Sequence, residues 1–264
     1  MTKLSISLAQ MHIKLARVED NLESAERMIA EAAERDSQLI LLPELWSTGY
    51  DLENAGDYAD ALGEGMFAQI SQSARGQSIA VYGSILERRQ HQYMNCAAYY
   101  DADGGLCGVY RKIHLFRLFD EHKWLGEGEA PALLDLAWGR AGLSICYDLR
   151  FPELFRRYAV AQGAKLMLIC AEWPLMRVEH WRALLIARAI ENQCFVAATN
   201  SCGDTGGTVF AGRSMIIDPW GNVIVEADED ECLLTAEIDL AEADRVRSTI
   251  PVFEDRRPDA YAAR

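Results

Sequence analysis

Three things are scarce in these 264 residues: paired cysteines, basic clusters and long apolar runs. The seven cysteines (Cys96, Cys107, Cys146, Cys170, Cys194, Cys202 and Cys232) are odd in number and include no CxxC pair. That argues against a disulfide framework and for a reducing, cytoplasmic setting. Cys170 and Cys194 lie in apolar strand-like runs, where a free thiol behaves as a small hydrophobe. No Lys/Arg cluster offsets a formal net charge of −14, so no nucleic-acid partner is expected. No apolar stretch approaches the ~20 residues of a membrane span. The opening residues, 1–10, alternate like a strand and lack the apolar centre of a signal peptide, so no membrane partner is expected either. The five histidines (His12, His91, His114, His122 and His180) show no spacing typical of a zinc site. No metal and no cofactor is expected.

What is present is ample apolar material, 50% of the chain, enough for one large core. Leu4, Ile6 and Leu8 alternate with polar residues as in a half-buried strand. Helical spacing marks 18–35 (Leu22, Ala25, Met28, Ile29, Ala32), 66–74, 152–161, 179–192 and 240–247. Strand patterns occupy 38–42, 78–86, 95–100, 106–110, 132–136, 141–145, 165–170, 194–199, 213–217, 223–226 and 232–238. Asp103-Gly104-Gly105 is a hairpin signal, and Pro219 to Asn222 a turn. Strands alternate with helices early, and hairpins appear in the middle and near the end. An α/β fold with mixed sheets follows, organised as one domain over 1–264 with a charged tail at 251–264. Two sheets face to face, with helices outside, would bury so many short apolar strands.

Chemistry concentrates where buried strands end. In Leu143 to Glu153 an apolar run delivers Cys146 to a sharp break, after which Pro152 starts a helix. A thiol facing the positive end of a helix dipole ionises more easily and can act as a nucleophile. Glu44 follows the run Leu39 to Pro43, and Lys112 follows another strand, in Tyr110 to Phe116. Taken singly, Glu44 reads as a loop acid, Lys112 as a surface charge and Cys146 equally as packing or catalysis. Together they occupy the carboxyl ends of strands, where open α/β sheets gather their ligands. A cysteine nucleophile needs a base for its proton and a donor for the oxyanion, and glutamate and lysine could supply both without histidine.

These three motifs resemble the Glu–Lys–Cys triad of carbon–nitrogen hydrolases of the nitrilase superfamily. The likeness rests on Leu-Leu-Pro-Glu44, Tyr-Arg-Lys112-Ile-His and Ile-Cys146-Tyr-Asp-Leu-Arg-Phe-Pro-Glu, and runs over nearly the whole chain. It implies a four-layer αββα sandwich and a homodimer, with the 251–264 tail at the dimer interface. Further on, Ala171 to Arg177, His180-Trp181, Ala187 to Gln193 and Ile250 to Pro258 resemble bacterial omega-amidases, including those associated with methionine salvage. That branch hydrolyses the terminal amide of 2-oxoglutaramate or 2-oxosuccinamate through a cysteine thioester.

The resemblance implies Glu44 as general base, Cys146 as nucleophile, and Lys112 with the backbone N–H of Tyr147 as oxyanion donors. It places a second glutamate after the lysine motif, which Glu121 matches, with Asp120 beside it as the alternative register. A 2-oxo acid amide carries a carboxylate, for which Arg177 or Arg150 is the natural clamp. Arg150 could instead pair with Asp148 or Glu153. Trp173 could wall the pocket or pack in the core. Arg188 and Glu191 read as an ion-pair framework, and 117–129 as a lid. The other readings left open are an N-carbamoyl amine or amino-acid hydrolase, an aliphatic amidase, and a non-catalytic binding protein on this fold.

Overall fold

Period-two alternation decides which way each strand turns its side chains, and here both faces of most strands are apolar. The computed structural model describes residues 3–261. The first half of the chain runs β1 (Lys3–Gln10), α1 (Val18–Glu34), β2 (Leu39–Leu41), α2 (Ala55–Tyr58), α3 (Gly65–Gln77), β3 (Ala80–Arg89), β4 (Gln92–Tyr100) and β5 (Leu106–Arg111). It continues through α4 (Glu121–Trp124), β6 (Leu133–Leu136), β7 (Gly139–Ile145), α5 (Pro152–Arg156), β8 (Leu166–Ala171), α6 (Val178–Asn192) and β9 (Phe195–Asn200). The last part comprises β10 (Cys202–Thr205), β11 (Thr208–Ala211), β12 (Met215–Ile217), β13 (Val223–Glu226), β14 (Cys232–Asp239), α7 (Ala241–Thr249) and α8 (Pro258–Tyr261).

Two six-stranded mixed sheets result, ordered β14-β1-β2-β3-β4-β5 and β13-β12-β9-β8-β7-β6. In the first, β1, β2 and β3 are parallel neighbours; in the second, β7, β8 and β9 are. One face of the first sheet (Leu4, Ile6, Leu8, Leu39, Leu41, Tyr82) packs into one core with Leu143, Ile145, Leu166 and Leu168 of the second. The opposite face of the first sheet (Ile40, Val81, Cys96) meets Ala25, Met28 and Ile29 of α1 and Phe67 and Ile70 of α3. Trp181, Leu185 and Ala189 of α6 and Phe155 of α5 cover the second sheet. The expected αββα sandwich is the observed layering.

Three segments depart locally from expectation. The helix expected over 152–161 is α-helical only to Arg156 and then widens to a π-turn over Arg157–Ala161. The hairpin β10–β11 was not anticipated, because Gly203, Gly206 and Gly207 and their polar neighbours carry no alternation. The tail expected at 251–264 contains the short helix α8, and its last residues, 262–264, lie outside the described residues, as do 1–2 of the expected domain span. No helix among the described residues is long and apolar enough to cross a membrane. All seven cysteines are free thiols.

Candidate active site

The two sheets bring four strand ends together. Glu44 follows β2, Lys112 follows β5, Cys146 follows β7 and Glu172 follows β8. The loop carrying Glu44 is clipped to both sheets: its N–H donates to Ala171 O across the sandwich at 3.4 Å, while Leu45 N–H donates to Ser84 Oγ of β3 at 2.9 Å. Lys112 is fixed by backbone bonds on two sides, its N–H to Asn95 O at 3.0 Å and its carbonyl accepting from Gly128 N–H at 2.8 Å. A Cβ on Gly128 would collide with the Arg111 carbonyl, so glycine is what lets 125–128 lie against that strand end.

Glu44, Lys112 and Glu121 form one buried cluster. Lys112 Nζ donates to Glu44 Oε1 at 2.7 Å and to Glu121 Oε1 at 2.5 Å, and stands 3.4 Å from Tyr50 OH. The side chains of all three charged residues are fully buried. Burial by itself would pull Lys112 down, but Glu121 and then Glu44 more than reverse this and hold it charged. Glu44 also accepts from Asn95 Nδ2 at 2.8 Å and from the Glu172 N–H at 3.0 Å. Glu121 takes Tyr50 OH at 2.7 Å and Phe116 N–H at 2.6 Å. Burial, opposed by Lys112, leaves the Glu121 carboxyl raised. Of the two adjacent acids it is Glu121 that joins this cluster; Asp120 is half exposed and paired with Lys123 at 2.8 Å. The segment expected to be a lid is pinned at its centre by the buried Glu121.

Cys146 opens a five-residue 3₁₀ turn, Cys146–Arg150, with φ +43°. A non-glycine residue in that region stores about 1–3 kcal/mol of strain, which its surroundings must offset. Asp148 does the holding. Its Oδ2 accepts from Ile145 N–H at 3.0 Å and Tyr110 OH at 2.8 Å, and its Oδ1 from His114 N–H at 3.1 Å, with His114 Nδ1 at 2.7 Å. The expectation that a helix dipole eases ionisation of the thiol is corrected here. Only this short 3₁₀ turn meets the sulfur, since the α-helix begins later, at Pro152. Burial, and then the charge of Glu44, push the Cys146 thiol well above its usual range despite Lys112. Tyr147 is the second residue of that turn, within the first turn where helical geometry leaves backbone N–H groups without an intrahelical partner.

A narrow cleft leads to the sulfur between Phe116, Tyr147, Arg150, Glu172, Trp173 and Arg177. Both candidate arginines thus reach the same cleft. The Arg150 guanidinium lies over the Trp173 ring at 4.7 Å, not against Asp148, and Arg177 lies over Phe116 at 5.7 Å. Trp173 serves both expected roles: it lines the cleft, and it packs on Trp181 with ring centroids 5.5 Å apart. Arg188 and Glu191 are an ion pair at 2.8 Å, with the guanidinium also holding Leu149 O at the end of the cysteine turn. Sequence reading passed over Tyr50, Asn95 and Glu172. Glu172 carried a signal, an acid directly after a fully apolar strand, which is the same signal that singled out Glu44.

Two buried sheets converging on a strained cysteine, a lysine and paired carboxylates define a carbon–nitrogen hydrolase site, and the chain belongs to that family. The family's model, described as carbon-nitrogen hydrolase, matches residues 5–248. Among curated proteins the chain is similar to the 2-oxoglutaramate amidase of Bacillus subtilis (strain 168), 43% identical over 260 residues, spanning 98% of this chain and 100% of that one. It is 34% identical over 272 residues to the omega-amidase NIT2 of Homo sapiens, spanning 99% and 98%. Among solved structures, the CN-hydrolase superfamily protein XC1258 of Xanthomonas campestris superposes with a TM-score of 0.91 at 33% identity, covering 97% of this chain and 98% of that one.

Proposed function

We propose that this protein hydrolyses the terminal carboxamide of a small 2-oxo dicarboxylic acid monoamide, of the 2-oxoglutaramate or 2-oxosuccinamate type, to a carboxylate and ammonia. The observation that carries the reading is the buried Glu44–Lys112–Glu121 cluster meeting Cys146 at the floor of a cleft that also contains two arginines. The similarity to a 2-oxoglutaramate amidase supports the choice of acyl group.

The chemistry follows from the proton inventory. Cys146 rests as a thiol, so the attack must be coupled to proton removal, and Glu44 is the acid–base group acting on that sulfur. As the S–C bond forms, the proton passes to Glu44 and negative charge gathers on the amide oxygen. Two of the three Lys112 N–H groups are fixed on Glu44 and Glu121. The third, held only at 3.4 Å by Tyr50, is the one free to turn to the oxyanion alongside the Tyr147 N–H. Collapse breaks the C–N bond, and Glu44 returns its proton to the departing nitrogen. Water then attacks the thioester with Glu44 again as base, the C–S bond breaks, and the sulfur is reprotonated. Glu121 keeps Lys112 charged and in place. Arg177 or Arg150 holds the substrate carboxylate in a bidentate fork. On the outer side of the second sheet, Ile190, Trp220 and Ile250 are exposed, and this apolar face supports the homodimer; sedimentation reads that state directly.

The deciding experiment measures ammonia release from 2-oxoglutaramate, 2-oxosuccinamate, N-carbamoyl amino acids and simple aliphatic amides, with intact-mass detection of an acyl adduct. The wild type is expected to prefer the 2-oxo amides and Cys146→Ala to lose both turnover and adduct. A preference for N-carbamoyl substrates would move the protein to another branch of the family. Unchanged turnover in Cys146→Ala would remove the nucleophile.

A further inference from the structure

Among the described residues, Glu172 is the one carboxyl group in the lining of the cleft, and the mechanism above does not use it. The residue is fully buried yet is one of those that line the cleft beside Cys146, and its carboxyl is close enough to Glu44, Lys112 and Glu121 to feel their charges. Its backbone is committed, with its N–H on Glu44 Oε2 at 3.0 Å and its carbonyl oxygen 3.8 Å from the Cys146 sulfur. Its carboxyl is not: among the described residues neither Oε1 nor Oε2 has a hydrogen-bond partner. A buried carboxyl without partners is costly, and native structures retain such a group where something else completes it.

The needs of the substrate indicate what completes it. A primary carboxamide brings one oxygen and two N–H groups to the floor of the cleft. Lys112 and the Tyr147 N–H face the oxygen. The N–H groups need acceptors, and the nearby carboxylates are already occupied: Glu44 by Lys112, Asn95 and the Glu172 N–H, and Glu121 by Lys112, Tyr50 and the Phe116 N–H. Asn95 Oδ1 is also unpartnered, but Asn95 does not line the cleft. Among the described residues, Glu172 is the cleft-lining residue that carries an unsaturated carboxyl.

We propose that Glu172 is a substrate-binding residue that accepts a hydrogen bond from the nitrogen of the scissile carboxamide, in its neutral form, and so selects unsubstituted amides over other acyl donors. This rests on the cysteine-amidase reading given above. Burial, and then the charge of Glu44, lift the Glu172 carboxyl well above the usual carboxylate range, consistent with a proton kept at neutral pH. A third carboxylate, if ionised, beside the Glu44–Lys112–Glu121 cluster, which already has two acids for one cation, would also repel a substrate that carries its own carboxylate.

The test compares the best primary amide of the panel with its methyl ester, which offers the same acyl group and no N–H. Glu172→Leu is expected to lower the amide-to-ester ratio of kcat/KM by about tenfold or more, the order expected for one lost hydrogen bond in a desolvated site. Glu172→Gln, which keeps a neutral acceptor of the same shape, is expected to hold the ratio within about threefold of wild type, again on the scale of a single hydrogen bond. A ratio unchanged in Glu172→Leu overturns the proposal and leaves Glu172 a packing group. A ratio lost equally in Glu172→Gln overturns the neutral form. Absence of wild-type turnover on both amide and ester would instead remove the underlying amidase reading.

Discussion

Replacing Lys112 by methionine leaves two carboxyl groups in the interior with no cation between them. The lysine stands 2.7 Å from Glu44 Oε1 and 2.5 Å from Glu121 Oε1, with all three side chains withdrawn from solvent. Methionine fills much of the stem volume and supplies no donor. Breaking a buried ion pair from one side costs about 3–5 kcal/mol, which corresponds to a fall in Tm of about 6–20 °C for a chain of this size. The loss has a pH signature whose sign follows from Glu121. Burial raises that carboxyl and Lys112 draws it back, so without the lysine the upward push of burial and of Glu44 is opposed only by the Phe116 N–H. A carboxyl raised in the folded state binds its proton more tightly folded than unfolded. Its penalty is therefore absent below the unfolded pKa and grows as pH rises towards the folded one. The Tm gap between wild type and Lys112→Met should be narrow near about pH 5 and wide near about pH 8. Differential scanning calorimetry at fixed protein concentration across that range measures it. Equal Tm values, or a gap that does not change with pH, would refute the buried ion-pair argument. On folded protein, turnover should also fall by roughly 10²–10³-fold, the effect of losing one oxyanion donor.

Arg177→Ala and Arg150→Ala separate the two clamps. The arginine that holds the substrate carboxylate should raise KM for a 2-oxo acid amide far more than for a neutral amide, and steady-state kinetics on both substrates should assign one of them; equal effects on both would remove that arginine as the clamp. Asp148→Asn places an NH₂ among four donors that now converge on carboxylate oxygens, at Ile145, Tyr110 and twice at His114. An unsatisfied buried partner costs about 1–3 kcal/mol. The variant should melt several degrees lower, by about 2–12 °C, and show slower labelling of Cys146 by a small alkylating amide as the turn loosens; unchanged values of both would show that Asp148 does not hold the turn.

Much of this was readable from residue order. Alternation and helical spacing placed the strands that form the two sheets, because a strand buried on both faces must be apolar along its length, as Leu39 to Leu41 and Leu166 to Ala171 are. Glu44, Lys112 and Cys146 could be selected because each follows such a strand. What local sequence could not convey is which charges the folded chain takes out of water. Asp120 and Glu121 are adjacent acids, yet one is on the surface and the other fully buried, a difference set by the left-handed Asp120 (φ +57°) turning the chain between them. The same limit applied to Glu172, whose distinction is the absence of a partner. The Cys146 thiol was misjudged for a related reason: the helical turn is visible in sequence, whereas the carboxylate beside it arrives from the other sheet.

The strand order also bears on how the chain can be made. β1 is synthesised well before one of its two neighbours, β14, which ends at Asp239. At about 5–20 residues per second on the ribosome, β1 would wait roughly ten to fifty seconds for that neighbour. Throughout that interval the first sheet has an unpaired edge, the kind of surface that recruits other chains. The first sheet can therefore close only once β14 has been made. Slower translation lengthens the time for which that edge of β1 stays open to mispairing.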